Sequence, residues 1–158
     1  QALAKARPFA RDGYQITPLA EFRIRAKVLG REDYHLDRES ELAPIDLALG
    51  WGRMSDETVL EHIEVSQSGR WYRWRTKQFP IPRREIETSS ANMHLIPADE
   101  AVADALDRIR RGQIVEVDGY LVRADASDGW RWISSLSRGD TGARACELVY
   151  VRQARIVN

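Results

Sequence analysis

The stretch from Ala20 to Leu29, Ala-Glu-Phe-Arg-Ile-Arg-Ala-Lys-Val-Leu, alternates between apolar and charged side chains. Phe22, Ile24, Ala26 and Val28 fall on one side, and Glu21, Arg23, Arg25 and Lys27 on the other. Successive side chains of an extended chain point to opposite faces, so this pattern specifies a strand with one face on a core and one face in water. Wound as a helix, the same residues would scatter charge around the whole axis and leave no stripe to bury. Gly30 follows as a turn or bulge, and the chain is committed early to a sheet.

Other segments continue the theme. Arg-Trp-Tyr-Arg-Trp-Arg-Thr, residues 70–76, predicts a strand with aromatic rings on both faces. Ile114 to Val122 predicts a long strand interrupted at Gly119, where a bulge or sharp bend is expected. Ala126-Ser127-Asp128-Gly129 signals a hairpin turn, Trp130 to Leu136 the returning strand, and Glu147 to Val157 a closing one. Two helices are expected. Ser55 caps the first, with Val59, Leu60 and Ile63 as its buried stripe. The second runs from Asp99 to Arg111, with Ala101, Val102, Ala105, Leu106 and Ile109 on one face and Gly112 as its stop.

The prolines of Phe79-Pro80-Ile81-Pro82 exclude a central strand there. Glu85–Thr88 and Asn92–Ile96 read as short strands, residues 31–41 as a loop, and residues 43–52 as a helical turn or buried segment. Residues 1–13, rich in Ala and Arg with Pro8 and Gly13, read as a flexible lead-in to a single globular domain over 14–158. The order predicts an α+β fold: a mainly antiparallel small β-barrel with two short-to-medium helices. It resembles the oligonucleotide/oligosaccharide-binding (OB) fold, a likeness of pattern that does not fix a function.

A chain of 158 residues suits one domain that folds without disulfide or metal. Its 24 basic and 24 acidic residues cancel, so the global positive field of a duplex-binding protein is absent. Cys146 is the only cysteine, which excludes an internal disulfide and a multi-cysteine zinc site. No apolar run approaches the ~20 residues of a membrane span. The chain starts at Gln1 rather than Met, so an exported, periplasmic protein is the first expectation for its compartment and a cytoplasmic one the second.

No phosphate loop, dinucleotide fingerprint, nucleophile elbow or paired-histidine zinc motif occurs, and no cofactor is expected. Five groups of residues remain, one of them the polar stretch Ser89 to His94, which could donate to an anion or a substrate carbonyl but reads first as a capped turn entering a short strand. Cys146 and His94 are a nucleophile and base if they meet, with Glu147 or Asn92 to orient the imidazole. His35, His62 and His94 are too widely and irregularly spaced to predict a metal site. Tyr72, Arg73 and Trp74, with Trp130, Trp132 and Arg138, offer rings for stacking and guanidiniums for phosphates or hydroxyls. The loop from Ser134 to Glu147 contains one Asp140-Thr141-Gly142, which lacks the second copy that an aspartic-protease site requires.

Three functions fit. The first is a β-barrel binding module with an Arg/aromatic groove, whose partner would be single-stranded nucleic acid, a saccharide or a protein. The second is a small hydrolase or transferase using Cys146 and His94. The third is an assembly protein that forms a homo-oligomer.

Overall fold

The computed structural model describes residues 3–136 and 146–157. Among the described residues the fold mixes α and β, with strands dominating and four short α-helices. The long alternating segment becomes β2, Tyr14–Asp33, which pairs with two different neighbours. Its first part, to Lys27, lies antiparallel to β7, Ile114–Ala126. From Lys27 onward it pairs with β3, Ile45–Gly50. Register shifts at Pro18/Ala20 and Val28/Gly30 bend it. A proline cannot donate to the ladder, so a bulge is where Pro18 fits in a strand.

β3 pairs antiparallel with β6, Ser90–Pro97, which pairs parallel with β9, Glu147–Ile156. β9 returns antiparallel to β7, and β7 to β2, so these five strands form a ring. Two short strands, β1 (Phe9–Arg11) on β2 and β8 (Arg131–Ile133) on β7, extend it to a seven-stranded sheet. A separate hairpin joins β4, Glu64–Ser68, to β5, Trp71–Arg75.

The alternating apolar sets converge inside the ring. Ala20, Phe22, Ala26 and Val28 of β2 meet Leu47 and Leu49 of β3, Met93 and Leu95 of β6, Val117 and Leu121 of β7, and Val149 and Val151 of β9. Burying each large aliphatic side chain contributes about 1.5–3 kcal/mol before entropy is counted. Helix α4, Glu100–Asp107, packs Val102 and Leu106 on this core, with Ile109 just beyond its end. Asp99 caps it by accepting from the Val102 N–H at 2.9 Å. Two further clusters lie outside the ring. One gathers Tyr14, Ile16, Ile96, Val122 and Leu148 under Trp130 and Trp132. The other gathers Leu29, Ala48, Met54, Ile81 and Ile86 under Tyr72 and Trp74.

Several local expectations are corrected. Residues 83–88 form a helix, α3 (Arg83–Thr88), where the sequence suggested a strand over 85–88; Pro82 enters it, and Ile86 is its one buried residue. The loop expected over 31–41 is shared between the end of β2 and α1, Arg38–Leu42, capped by Asp37. The helix expected after Ser55 is the single turn α2, Glu57–Leu60, capped by Asp56. Residues 1–13, read as a flexible lead-in, contain β1 and a bridge from Leu3 to Ala20. No helix among the described residues is long and apolar enough to cross a membrane.

Gly119 is required by close approach. It sits at the register shift between β7 and β9, and a Cβ there would overlap the Tyr150 carbonyl oxygen. Gly119→Ala is therefore expected to destabilise the fold by about 1–3 kcal/mol or more, read as a lower urea midpoint with an unchanged slope.

Candidate functional site

β3 and β6 are buried on both faces. Their inner rows are apolar. Their outer rows carry Asp46 on β3 and Ser90, Asn92 and His94 on β6, all at most 7% exposed. The β4–β5 hairpin supplies the cover over these rows, and polar groups taken out of water must find partners. Tyr72 Oη donates to Ser90 Oγ at 3.0 Å, and Gln67 Nε2 to Asn92 Oδ1 at 2.8 Å. Asn92 Nδ2 donates to Asp46 Oδ2 at 3.0 Å, and Arg70 Nη1 to Asp46 Oδ1 at 2.8 Å. His94 Nδ1 lies 2.7 Å from the same Oδ1. An ionised carboxylate is an acceptor only, so Nδ1 is the nitrogen that carries a proton toward it, and Nε2 is the one turned away from Asp46.

Arg70 is at the tip of the hairpin. Ser68 pairs with Trp71, leaving Gly69 (φ 57°) and Arg70 (φ 71°) as a two-residue turn with both residues left-handed. For arginine that conformation costs about 1–2 kcal/mol, so the surroundings must hold it. Its backbone N–H donates to Tyr34 Oη at 2.9 Å, and its guanidinium lies over the Tyr34 ring at 3.8 Å. The Trp132 ring is 5.5 Å from the guanidinium, and Asp37 lies 3.6 Å from Nη2. Nε and Nη2 are buried without a hydrogen-bond partner among the described residues.

Beside this cluster lies a pocket of about 190 Å³, lined by Glu39, Arg70, Trp71, His94, Trp132, Ile133 and Cys146. The His94 and Trp132 rings are 5.0 Å apart. Cys146 Sγ is 4.0 Å from the Arg70 carbonyl, which is its hydrogen-bond acceptor here, in place of His94. Burial first, then the negative charges of Asp46 and Glu147, push its thiol up to about 11.

His94, Cys146 and Trp132 of the sequence-predicted residues thus share one pocket. The others lie elsewhere. Tyr72 and Trp74 pack on the third cluster, where burial drives the Tyr72 phenol up to about 12 and Trp74 meets Phe79 edge-on at 6.0 Å. Arg73 points to the opposite, exposed face, toward Ser68. Trp130 packs between Tyr14 and Trp132, with Arg38 over its ring at 5.3 Å. The rings of 70–76 and of 130–132 therefore pack in two separate clusters. Arg138 lies outside the described residues. The residue that orients His94 is Asp46, in place of Asn92 or Glu147; Asn92 instead steadies Asp46. No cluster of three metal-ligating side chains occurs among the described residues. Asp46, Arg70 and Tyr34 were not singled out from the sequence. The one available signal was a charge inside the apolar run Ile45-Asp46-Leu47.

The chain matches no protein-family model and no curated protein sequence.

Two measurements probe the site. Asp46→Ala strands one buried guanidinium and one imidazole, so a loss of about 3–5 kcal/mol is expected in urea unfolding. Alkylation of Cys146 by iodoacetamide, which needs the thiolate, is expected to climb about tenfold per pH unit from roughly pH 7 to 10, whereas an ordinary thiol levels off above its pKa of about 8.5.

Proposed function

We propose that the five-stranded ring is an OB-like barrel carrying a small thiol-dependent hydrolase or acyl transferase site, with Cys146 as nucleophile, His94 as base and Asp46 as the group that orients the base. The observation that carries this reading is the buried 2.7 Å bond between His94 Nδ1 and Asp46, on an imidazole that lines the same pocket as the only thiol. That is the nucleophile–base–orienter arrangement of covalent acyl transfer.

The barrel assignment is supported by five ring strands in Greek-key-like order, with one parallel pair and a helix between the third and fourth. OB barrels bind ligands with the connection between their first two strands and that between their last two. Here the first of these, between β2 and β3, supplies Tyr34, Asp37 and Glu39, and the second, between β7 and β9, supplies Trp132 and Cys146. The sheet face that would track a nucleic-acid strand is covered by the chain's own hairpin, through Arg70–Asp46, Gln67–Asn92 and Tyr72–Ser90. That favours chemistry in the small pocket over a long groove for single-stranded nucleic acid.

The step runs as follows. Cys146 Sγ attacks the acyl carbon of an ester, thioester or amide while His94 Nε2 takes the thiol proton. His94 returns that proton to the leaving alcohol, thiol or amine as the bond to the acyl carbon breaks. The S-acyl group then passes to water or to an amine, and the thiol regains its proton. The raised thiol pKa favours proton removal during attack over a standing thiolate.

A second reading is ligand binding without turnover, by a saccharide or another ring-bearing molecule held against Trp71 and Trp132. It is favoured by the hydrogen bond of Cys146, which goes to a carbonyl and not to His94.

One experiment separates them. Incubation with p-nitrophenyl acetate and a panel of thioesters is expected to leave one acyl group on Cys146, detected by mass spectrometry. His94→Ala is expected to slow acylation roughly 10²–10⁴-fold, and Cys146→Ser to abolish it with the circular dichroism unchanged. A folded protein that takes up no acyl group from any donor sinks the catalytic reading and leaves ligand binding.

A further inference from the structure

A second cavity lies elsewhere, at the foot of the ring between α4 and strands β2, β7 and β9. Its volume is about 910 Å³, within the range of roughly 300–1,000 Å³ typical of small-molecule sites. It shares no residue with the thiol pocket. Its floor is aliphatic: Val102 and Val117 are buried, and Ile24, Ala105 and Ala154 are half-buried. Ile24 and Ala154 pack onto the ring core, so the groove opens where the inner apolar row comes nearest to solvent. Among the described residues no aromatic ring lines it, so the stacking platform that bases and sugars use is not offered by them.

Its rim is built by strand register. Arg23 pairs across with Asp118, and Arg25 with Glu116, which in turn faces Arg155 on β9. Arg23 Nε donates to Asp118 Oδ2 at 3.1 Å and Arg152 Nη2 to Asp118 Oδ1 at 3.0 Å. Arg155 Nε donates to Glu116 Oε1 at 2.7 Å, and Arg25 Nη1 lies 3.6 Å from Glu116 Oε2. Each of these carboxylates is thus shared by two guanidiniums, and with Asp99 counted the lining holds four arginines against three acids. The remaining acid of the lining, Asp99, is already engaged as the cap of α4. Arg23, Arg25 and Arg155 have side chains 84%, 66% and 73% exposed, and most of their donors are unspent.

We propose that this groove binds a free fatty acid, with the aliphatic chain along the Ile24–Val117–Ala154 floor and the carboxylate held in two-point fashion by the arginine rim. A hydrocarbon chain gains by leaving water on an aliphatic floor, and a planar carboxylate matches the guanidinium fork. An excess of guanidinium over carboxylate makes the sign of the head group selective.

The test is calorimetric titration of the full chain with decanoate below its micelle concentration, against decanol and acetate. Saturable binding of decanoate, much weaker binding of decanol and none of acetate are expected. The double variant Arg25→Gln/Arg155→Gln is expected to weaken decanoate about tenfold or more. Glu116→Gln, which frees the same two guanidiniums, is expected to tighten it, a direction that damage to the fold would not produce. Absence of saturable binding to the wild-type chain, equal affinity for decanol, equal affinity for acetate, or an affinity that neither variant moves would each overturn the proposal.

Discussion

Asp46 holds a carboxylate at a position with no solvent contact, and the outer half of the structure is arranged around meeting its needs. A charge in that setting is tolerable only with near-complete hydrogen bonding. Its three donors come from three places: His94 and Asn92 from two turns of pleat along β6, and Arg70 from the tip of a hairpin that has no backbone pairing with the ring. The bond to Arg70 therefore does more than neutralise charge. It draws the hairpin over the β3–β6 face, and this brings Gln67 onto Asn92 and Tyr72 onto Ser90. Removing Asp46 would leave the hairpin attached through its apolar cluster and the neutral hydrogen bonds of Gln67, Tyr72 and the Arg70 backbone.

The ring makes this arrangement possible by fixing which ends of which strands meet. A single strand must pair with β7 on one side and β3 on the other, so β2 has to be long and bent. The bends fall at Pro18 and Gly30 on β2 and opposite Gly119 on β7, where the ladder shifts register. The parallel pairing of β6 with β9 then sets His94 beside Leu148 and leaves Cys146 just before the start of β9, next to the pocket. A thiol one residue before a strand is held by the strand's register while its own backbone remains outside the ladder.

How much of this the sequence discloses depends on whether a pattern is local. The β2 alternation, the apolar face and cap of α4, and the interruption at Gly119 are each written within a dozen residues, and each corresponds to a feature of the fold. The buried row of β3 and β6 is not local. Asp46 lies between the inner residues Ile45 and Leu47, and Ser90, Asn92 and His94 alternate with Ala91, Met93 and Leu95, so β6 reads as half-exposed. Only the hairpin, contributed by residues 64–75, makes the polar row an interior one. The aromatic hairpin misleads for the same reason. Alternation shows that Tyr72 and Trp74 share a face, but it does not say that this face lies on Met54 and Ile86 instead of a ligand. The helix over 83–88 carries a single buried residue, too weak a periodicity to compete with the strand reading.

The electrostatics of the pocket bear on which chemistry is within reach. An ion pair between thiolate and imidazolium needs a net positive environment at sulfur. Around Cys146 the environment runs the other way: burial first, then the charges of Asp46 and Glu147, raise the thiol's proton affinity, and Arg70 is already committed to Asp46. A nucleophile in such a site reacts only as fast as its proton is removed during attack. That places the demand on the imidazole, whose free nitrogen is a base because the other is locked as a donor to Asp46. The same carboxylate that organises the hairpin therefore accepts from His94 Nδ1 and adds to the burial that raises the Cys146 thiol. Structural and chemical roles meet on one buried oxygen, Asp46 Oδ1, which accepts from both Arg70 and His94.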